Sequence, residues 1–259
     1  MTLYAERRLD LADLEARVKE MYEQVALTPG RGFHFETGRA LAEHLGYPAP
    51  DLDAVPAQAI ESFAGVGYFF DLARVQPGEV VLDLGSGSGT DSFLAAIATG
   101  PDGRVIGVDM TSAQRTKASR LAAVSGIANV EFRDGHIERP PVESRSVNCV
   151  ISNGVINLSP DKRAVFEAAA AALRPGGRLV VADIVTAVGL PEGVTCDASL
   201  WAACIGGAAQ RDDYLDTIRA AGFEIETVRD NDYRFVSERA VGATTTYGVT
   251  SVSVLARLR

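Results

Sequence analysis

Cysteine is scarce: Cys149, Cys196 and Cys204 are the three in 259 residues, an odd number without paired spacing. That excludes a disulfide framework and fits a reducing compartment. Basic charge is also short, with 25 Lys and Arg against 34 Asp and Glu and a formal net charge of −9. Polyanion binding draws on clustered Lys and Arg, so the balance argues against nucleic acid as a partner. The opening residues Met1 to Leu11 carry charges every few positions and no apolar segment. Neither a signal peptide nor a membrane span is expected, and the cytoplasm is the expected compartment. Internal repeats, low-complexity tracts, Ser-His-Asp arrangements and metal-ligand clusters are absent too. What remains, 47% hydrophobic residues with 25 Gly and 11 Pro, is ordinary for one α/β domain with an appendage.

From Tyr4 to Ala26, Leu9, Leu11, Leu14, Val18, Met21, Tyr22 and Val25 recur at helical spacing and predict an amphipathic helix. "FHFETGRALAEHLGY" predicts a second helix stopped at Gly46, and Pro56 to Phe63 a short third. Beyond Pro77 the pattern changes. "EVVLDLG", "RVIGVDM", "NVEFRDG", "NCVISN" and "RLVVAD" are β-rich runs separated by helical stretches, and "FEIETVRD" and "SVSVLARL" follow. Seven strands alternating with helices imply parallel pairing with right-handed crossovers. The expected division is a helical cap and lead-in over 1–76 and a ligand-binding domain over 77–259. Within the latter, an insertion at 185–213 holds Trp201, Cys196 and Cys204.

The run "VVLDLGSGSGTDSF" puts alternating glycines at the carboxyl end of a strand and before a helix, the crevice where open α/β sheets bind ligands. Gly85, Gly87 and Gly89 let backbone approach a ligand without Cβ obstruction. Asp83 ends the same strand, and Asp109 closes "VIGVD" 24 residues after Gly85 (109 − 85). An acid at that spacing holds ribose hydroxyls in dinucleotide sites. The dinucleotide fingerprint itself is imperfect, because no glycine stands at position 90, so a nicotinamide-dependent dehydrogenase is only the third reading.

"DLGSGSG" resembles the first motif of class I S-adenosylmethionine-dependent methyltransferases. "PDGRVIGVDMT", "NVEFRDGHIE", "VISNGVINLSPDKRAVF" and "LRPGGRLVVADI", with "VKEMYEQV", "ESFAGVG" and "LWAACIGGA", are similar to the arsenite methyltransferase branch over nearly the whole chain. The resemblance implies a Rossmann-like seven-stranded sheet, α/β in class, with an N-terminal helical cap. It implies S-adenosyl-L-methionine as cofactor and a small-molecule methyl acceptor. The glycine turn of Asp83, Gly85, Ser86, Gly87 and Gly89 would then lie beside the methionine and ribose, and Asp109 would hold the ribose. Tyr22 would stand near the methionine end, Met110 beside the ribose, His136 with Ile137 on the adenine side, and Asn153 near the sulfonium.

The branch pattern has a cysteine in the N-terminal half, one in "ISN-C-VINLS" and one in the segment reading "WAACIGGA" here. This chain matches only the last, as Cys204, and Gly154 replaces the second. Soft trivalent arsenic wants two or three converging thiolates. The first reading is therefore a small organic acceptor; the second is arsenite held by Cys196 and Cys204. The non-enzymatic rival is a cofactor-binding regulatory protein. Candidate catalytic residues are His34, Asn153 and Cys204, with His34 read either as a packed aromatic element or as a general base. Cys149, in a β-rich run, reads as a small buried residue, and Trp201 reads either as a pocket wall or as core. Oligomeric state is left open.

Overall fold

Helical spacing of Leu14, Val18 and Val25 produces α1 (Leu11–Leu27), whose start is capped by the Asp10 carboxylate accepting from the Ala12 and Asp13 amides. The computed structural model describes residues 9–195, 201, 206–235 and 238–259. The expected turn from Tyr4 to Arg8 lies outside them. Four short helices follow: α2 (Arg39–His44), α3 (Ala49–Asp53), α4 (Ala57–Glu61) and α5 (Phe70–Ala73). The helix expected over 33–47 is confined to its second half. Its first half is instead spent on aromatic packing: Phe35 stacks on Phe33 at 5.6 Å and on Tyr22 at 6.1 Å.

The seven strands expected from the sequence are all present: β1 (Val80–Leu84), β2 (Arg104–Asp109), β3 (Val130–Asp134), β4 (Val147–Asn153), β5 (Leu173–Thr186), β7 (Phe223–Asn231) and β8 (Thr250–Leu258). An eighth, β6 (Ala209–Gln210), pairs with the end of β5. The count read from the sequence is corrected by that two-residue strand, too short to carry an alternation signal. The order is β3-β2-β1-β4-β5-β8-β7, parallel from β3 to β5, with β8 antiparallel to both neighbours. Between the strands run α6 (Thr90–Thr99), α7 (Ser112–Ser125), α8 (Lys162–Ala172), α9 (Glu192–Thr195), α10 (Arg211–Ala220) and α11 (Glu238–Tyr247).

Strand residues alternate between two cores, one on each face of the sheet. Val81, Val105, Cys149, Ile151 and Val180 pack on one face with α1 residues Leu14 and Val18. Leu82, Leu84, Ile106, Val150 and Leu179 pack on the other with α8 and α10 residues Phe166, Tyr214 and Ile218. Both faces are thus covered, which is why the central strands read as near-continuous apolar runs. β1 pairs with β2 on one side and β4 on the other, so the chain winds outward in both directions from it. That reversal opens a crevice at the carboxyl ends of β1 and β4.

The N-terminal segment is bound to this framework by side chains reaching its backbone. Gln114 Nε2 donates to the Tyr22 carbonyl at 2.9 Å. Lys117 Nζ donates to the Ala26 carbonyl at 3.0 Å and to Ser62 Oγ at 2.7 Å, while Ser62 Oγ donates to the Val25 carbonyl at 2.9 Å. Further on, the Val66 amide donates to Asn153 Oδ1 at 2.8 Å, and Ser251 Oγ donates to the Val66 carbonyl at 2.7 Å.

Lys117→Met keeps the aliphatic stem and removes both ammonium hydrogen bonds. It should cost about 1 to 3 kcal/mol in denaturant unfolding. It should also speed amide exchange in α1 while leaving β1 and β4 protected; unchanged exchange in α1 would show that the cap is held elsewhere.

Candidate active site

A cavity of about 800 Å³ lies over the carboxyl ends of the central strands, roofed by one face of α1. Leu11, Leu14, Glu15, Val18 and Tyr22 of that helix line it, at the spacing that places side chains on one helical stripe. Of the residues expected to bind a cofactor, Tyr22, Asp83, Gly85, Ser86, Gly87, Asp109, Met110, His136, Ile137 and Asn153 all line the same cavity. Gly89 does not. It precedes α6 at φ 96°, and a Cβ there would come within 2.8 Å of the Phe132 ring, so close packing rather than ligand approach requires the glycine.

At Gly85 the reason is backbone clearance beside the cavity: φ is 74°, and a Cβ would sit 2.4 Å from Val155 Cγ2. The turn it makes brings the Gly87 amide to Asp109, where it donates to Oδ2 at 2.9 Å; the Thr111 amide donates to Oδ1 at 2.8 Å. Asp109 is thereby aimed from the end of β2 across the glycine turn. Burial raises its pKa, against the pull of the Thr111 and Gly87 hydrogen bonds. On the inner wall, burial pushes Asp83 up to about 8, with the charge of Asp91 adding to it, although Ser92 Oγ donates to its Oδ2 at 2.5 Å. Burial likewise lifts Asp91 to about 6, against hydrogen bonds from Tyr47 Oη at 2.7 Å and Asn153 Nδ2 at 3.0 Å.

The other expected residues are placed differently. His34 is not part of the cavity wall. Its ring meets Phe35 edge-on at 5.6 Å, its Nε2 is buried without a partner, and burial lowers its pKa. The packing reading of His34 therefore replaces the general-base reading. Trp201 is 7% exposed and donates from Nε1 to the Thr195 carbonyl at 2.7 Å; it too is core rather than cavity wall. Cys149 is fully buried in β4, and its thiol is pushed up to about 12 by burial. Cys196 and Cys204 lie outside the described residues. Asn153 does line the cavity, but its carboxamide is fully engaged by protein groups.

Several lining residues were not singled out by motif reasoning. Asp91 follows the glycine run directly, and only its burial distinguishes it from an ordinary first-turn acid. Gln114 accepts from Ser88 Oγ at 2.5 Å while donating to α1, a role that helical spacing within α7 does not reveal. Glu138 and Ser159, hydrogen-bonded to one another, close the side near α8.

A carboxylate at the end of β2, a bare glycine turn, apolar Met110 and Ile137, and buried acids facing the same space match the groups of S-adenosylmethionine: a diol, an adenine and two cationic centres. The fold and site thus define a doubly wound protein that binds this cofactor at its topological switch point. A methyltransferase-domain family model matches residues 76–222. The arsenite methyltransferase of Halobacterium salinarum is 43% identical over 205 residues, which are 78% of this chain and 52% of that protein. The chain thus spans about half the length of that curated relative. An arsenic(III) S-adenosylmethionine methyltransferase from Chlamydomonas reinhardtii superposes with TM-score 0.66 at 31% identity, covering 85% of this chain and 73% of that one. A geranyl diphosphate C-methyltransferase from Streptomyces coelicolor A3(2), 18% identical, shares the fold over 97% of this chain and 100% of its own with TM-score 0.69. The chain belongs to the methyltransferase-domain family, as a class I S-adenosylmethionine-dependent member similar to arsenite methyltransferases.

Asp109→Ala should weaken S-adenosylmethionine binding by about 1 to 3 kcal/mol, the range for a lost charge-assisted hydrogen-bond partner. Titration calorimetry checks this; unchanged affinity would remove Asp109 from the ribose role.

Proposed function

We propose that this protein transfers the methyl group of S-adenosylmethionine to a small organic acceptor enclosed between α1 and the carboxyl ends of β1 and β4. The observation that carries the reading is the convergence of Asp109, the glycine turn and the Asp83–Asp91 wall on one roofed cavity. When bound, the cofactor supplies an already activated methyl group on a sulfonium. The protein's task is then position and exclusion of water. Tyr22, Met110, His136 and Ile137 are assigned to the cofactor's flanks, with Asp109 on its ribose. Residues 1–76 serve as the cap: α1 covers the cavity with Leu14 and Val18, and Gln114 and Lys117 hold it down. The segment between β5 and β6 is assigned to the acceptor side. No helix among the described residues is long and apolar enough to cross a membrane.

Sulfur is missing from the cavity wall among the described residues, apart from the thioether of Met110. Cys149 packs in the core with Val81 and Val180, and the position of the branch's strand-end cysteine is Gly154. This supports an organic acceptor. Arsenite is the second reading, favoured by the similarity to the arsenic methyltransferases of Halobacterium salinarum and Chlamydomonas reinhardtii, and it rests on Cys196 and Cys204.

Incubation with methyl-labelled cofactor, a metabolite extract in one arm and arsenite in the other, tests the choice. Label entering an organic component equally well in Cys196→Ser and Cys204→Ser supports the first reading. Rapid arsenite methylation abolished by either substitution replaces it with the second, and no transfer in either arm leaves a cofactor-binding regulator. Gly154→Cys is a further probe. Position 154 has φ 72°, and a Cβ there would stand 3.2 Å from Val66 Cγ1. The substitution should cost about 1 to 2 kcal/mol of stability for the left-handed backbone alone; a gain in arsenite turnover despite that cost would show a thiolate site completed by the new side chain.

A further inference from the structure

Tyr47, in the connection between α2 and α3, is far from the glycine turn in sequence yet touches the cavity's inner wall. It is 3% exposed, with its ring packed edge-on against Phe63 and Tyr68 at 5.0 Å each. Its hydroxyl donates to Asp91 Oδ1 at 2.7 Å and accepts from Asn153 Nδ2 at 3.0 Å. Asn153 Nδ2 also reaches Asp91 Oδ2 at 3.0 Å and the Gly67 carbonyl at 3.0 Å. Tyr47 itself does not line the cavity, whereas Asp91 and Asn153 do. A phenol that donates to a carboxylate favours its charged form and fixes its direction.

We infer that Tyr47 is a positioning residue for cofactor binding: its hydroxyl keeps Asp91 ionised and aimed into the cavity, where the carboxylate meets a cationic centre of S-adenosylmethionine. The inference rests on the cofactor assignment above. Asp91 sits in a crowded acidic neighbourhood. Asp83 on β1 faces it with like charge, Asp109 at the end of β2 acts on Asp83, and the hydrogen-bond partners at Asp91 are the neutral Tyr47 and Asn153. Burial raises Asp91 to about 6, and Tyr47 is the first of two groups that hold it from rising further. Without the hydroxyl the carboxyl protonates at higher pH, and a protonated acid offers a cation no charge. Affinity for the cofactor should therefore fall as pH drops through the Asp91 transition, and removal of the hydroxyl should move that fall upward.

Tyr47→Phe keeps the ring and its three aromatic neighbours, Phe63, Tyr68 and Phe70, while removing only the donor. In calorimetric titration of the whole chain with S-adenosylmethionine, Tyr47→Phe should weaken binding about tenfold near pH 5 and about twofold near pH 7, as one unit of transition shift gives. Near pH 8.5 the loss should shrink further, since Asp91 is ionised there in both proteins. Asp83 titrates in both proteins and is coupled to Asp91 by like charge, so the Asp91→Asn background separates its share. In an Asp91→Asn background the same tyrosine change should have no pH-dependent effect left. Equal affinity of Tyr47→Phe and the unaltered protein near pH 5, or an identical loss near pH 5 and pH 8.5, would overturn the inference. If Tyr47→Phe does not fold, the comparison of Asp91→Asn with the unaltered protein decides: the decline in affinity near pH 6 must flatten, and a persisting decline rejects the role of Asp91. Absence of binding by the unaltered protein at every pH would instead reject the cofactor assignment.

Discussion

The carboxamide of Asn153 joins the parts of this molecule. Standing at the end of β4, it accepts from the Val66 amide and donates toward Tyr47, Gly67 and Asp91. Two N–H protons shared among three acceptors leave it no spare donor, and its carbonyl oxygen answers a backbone amide. In place of a reacting group, it is the point at which the lead-in segment, the central sheet and the first turn of α6 are held in one register. The neighbouring backbone leaves no slack: a Cβ on Gly65 would come within 2.6 Å of Asn153 Nδ2. Any cofactor that touches Asp91 therefore also touches the order of the segment leading to the cap.

The chemistry of the cavity follows from unpaid desolvation. Asp83 and Asp91 are buried, and their hydrogen-bond partners are Ser92, Tyr47 and Asn153, all neutral. Burial without a cation is unfavourable for a carboxylate, and both are raised accordingly. A positively charged ligand would relieve that cost. Asp109 is treated differently, with two backbone amides on its oxygens and Arg115 lending charge. It is the acid suited to a neutral diol, which accepts and donates hydrogen bonds without needing a counter-charge. Three acids in one cavity thus differ by the partners each has.

Lys162 seats Trp201. Its ammonium lies 5.1 Å from the Trp201 ring and donates to the carbonyls of Asn157 and Ser159 at 3.2 and 3.0 Å. Burial lowers its pKa to about 8, with Asp183 and Glu138 working against that. The carbonyls fix the ammonium, and the cation–π contact holds Trp201, which stands between Cys196 and Cys204 in the sequence, in the core.

Periodicity and punctuation made the sheet readable. Strands of the parallel half have apolar side chains on both faces, so Val80 to Leu84 and Val147 to Asn153 announce themselves as short runs, and the glycines with Asp109 identify the crevice. Most of the cofactor side of the cavity was legible because motif residues sit at strand ends, where their place follows from local order. Three things were not. The antiparallel insertion of β8 between β5 and β7 depends on pairing across the whole chain. The packing of His34 against Phe35 depends on which rings meet, and a lone histidine between two phenylalanines reads the same in either role. The partnership of Tyr47 with Asp91 spans 44 residues and has no spacing to betray it. Local sequence determined the strands, the glycine turn and the acid at the end of β2 because backbone geometry and side-chain alternation act over a few residues. Tertiary structure alone decided which acids lost their water and which neutral groups faced them, because desolvation belongs to the surroundings that distant segments build.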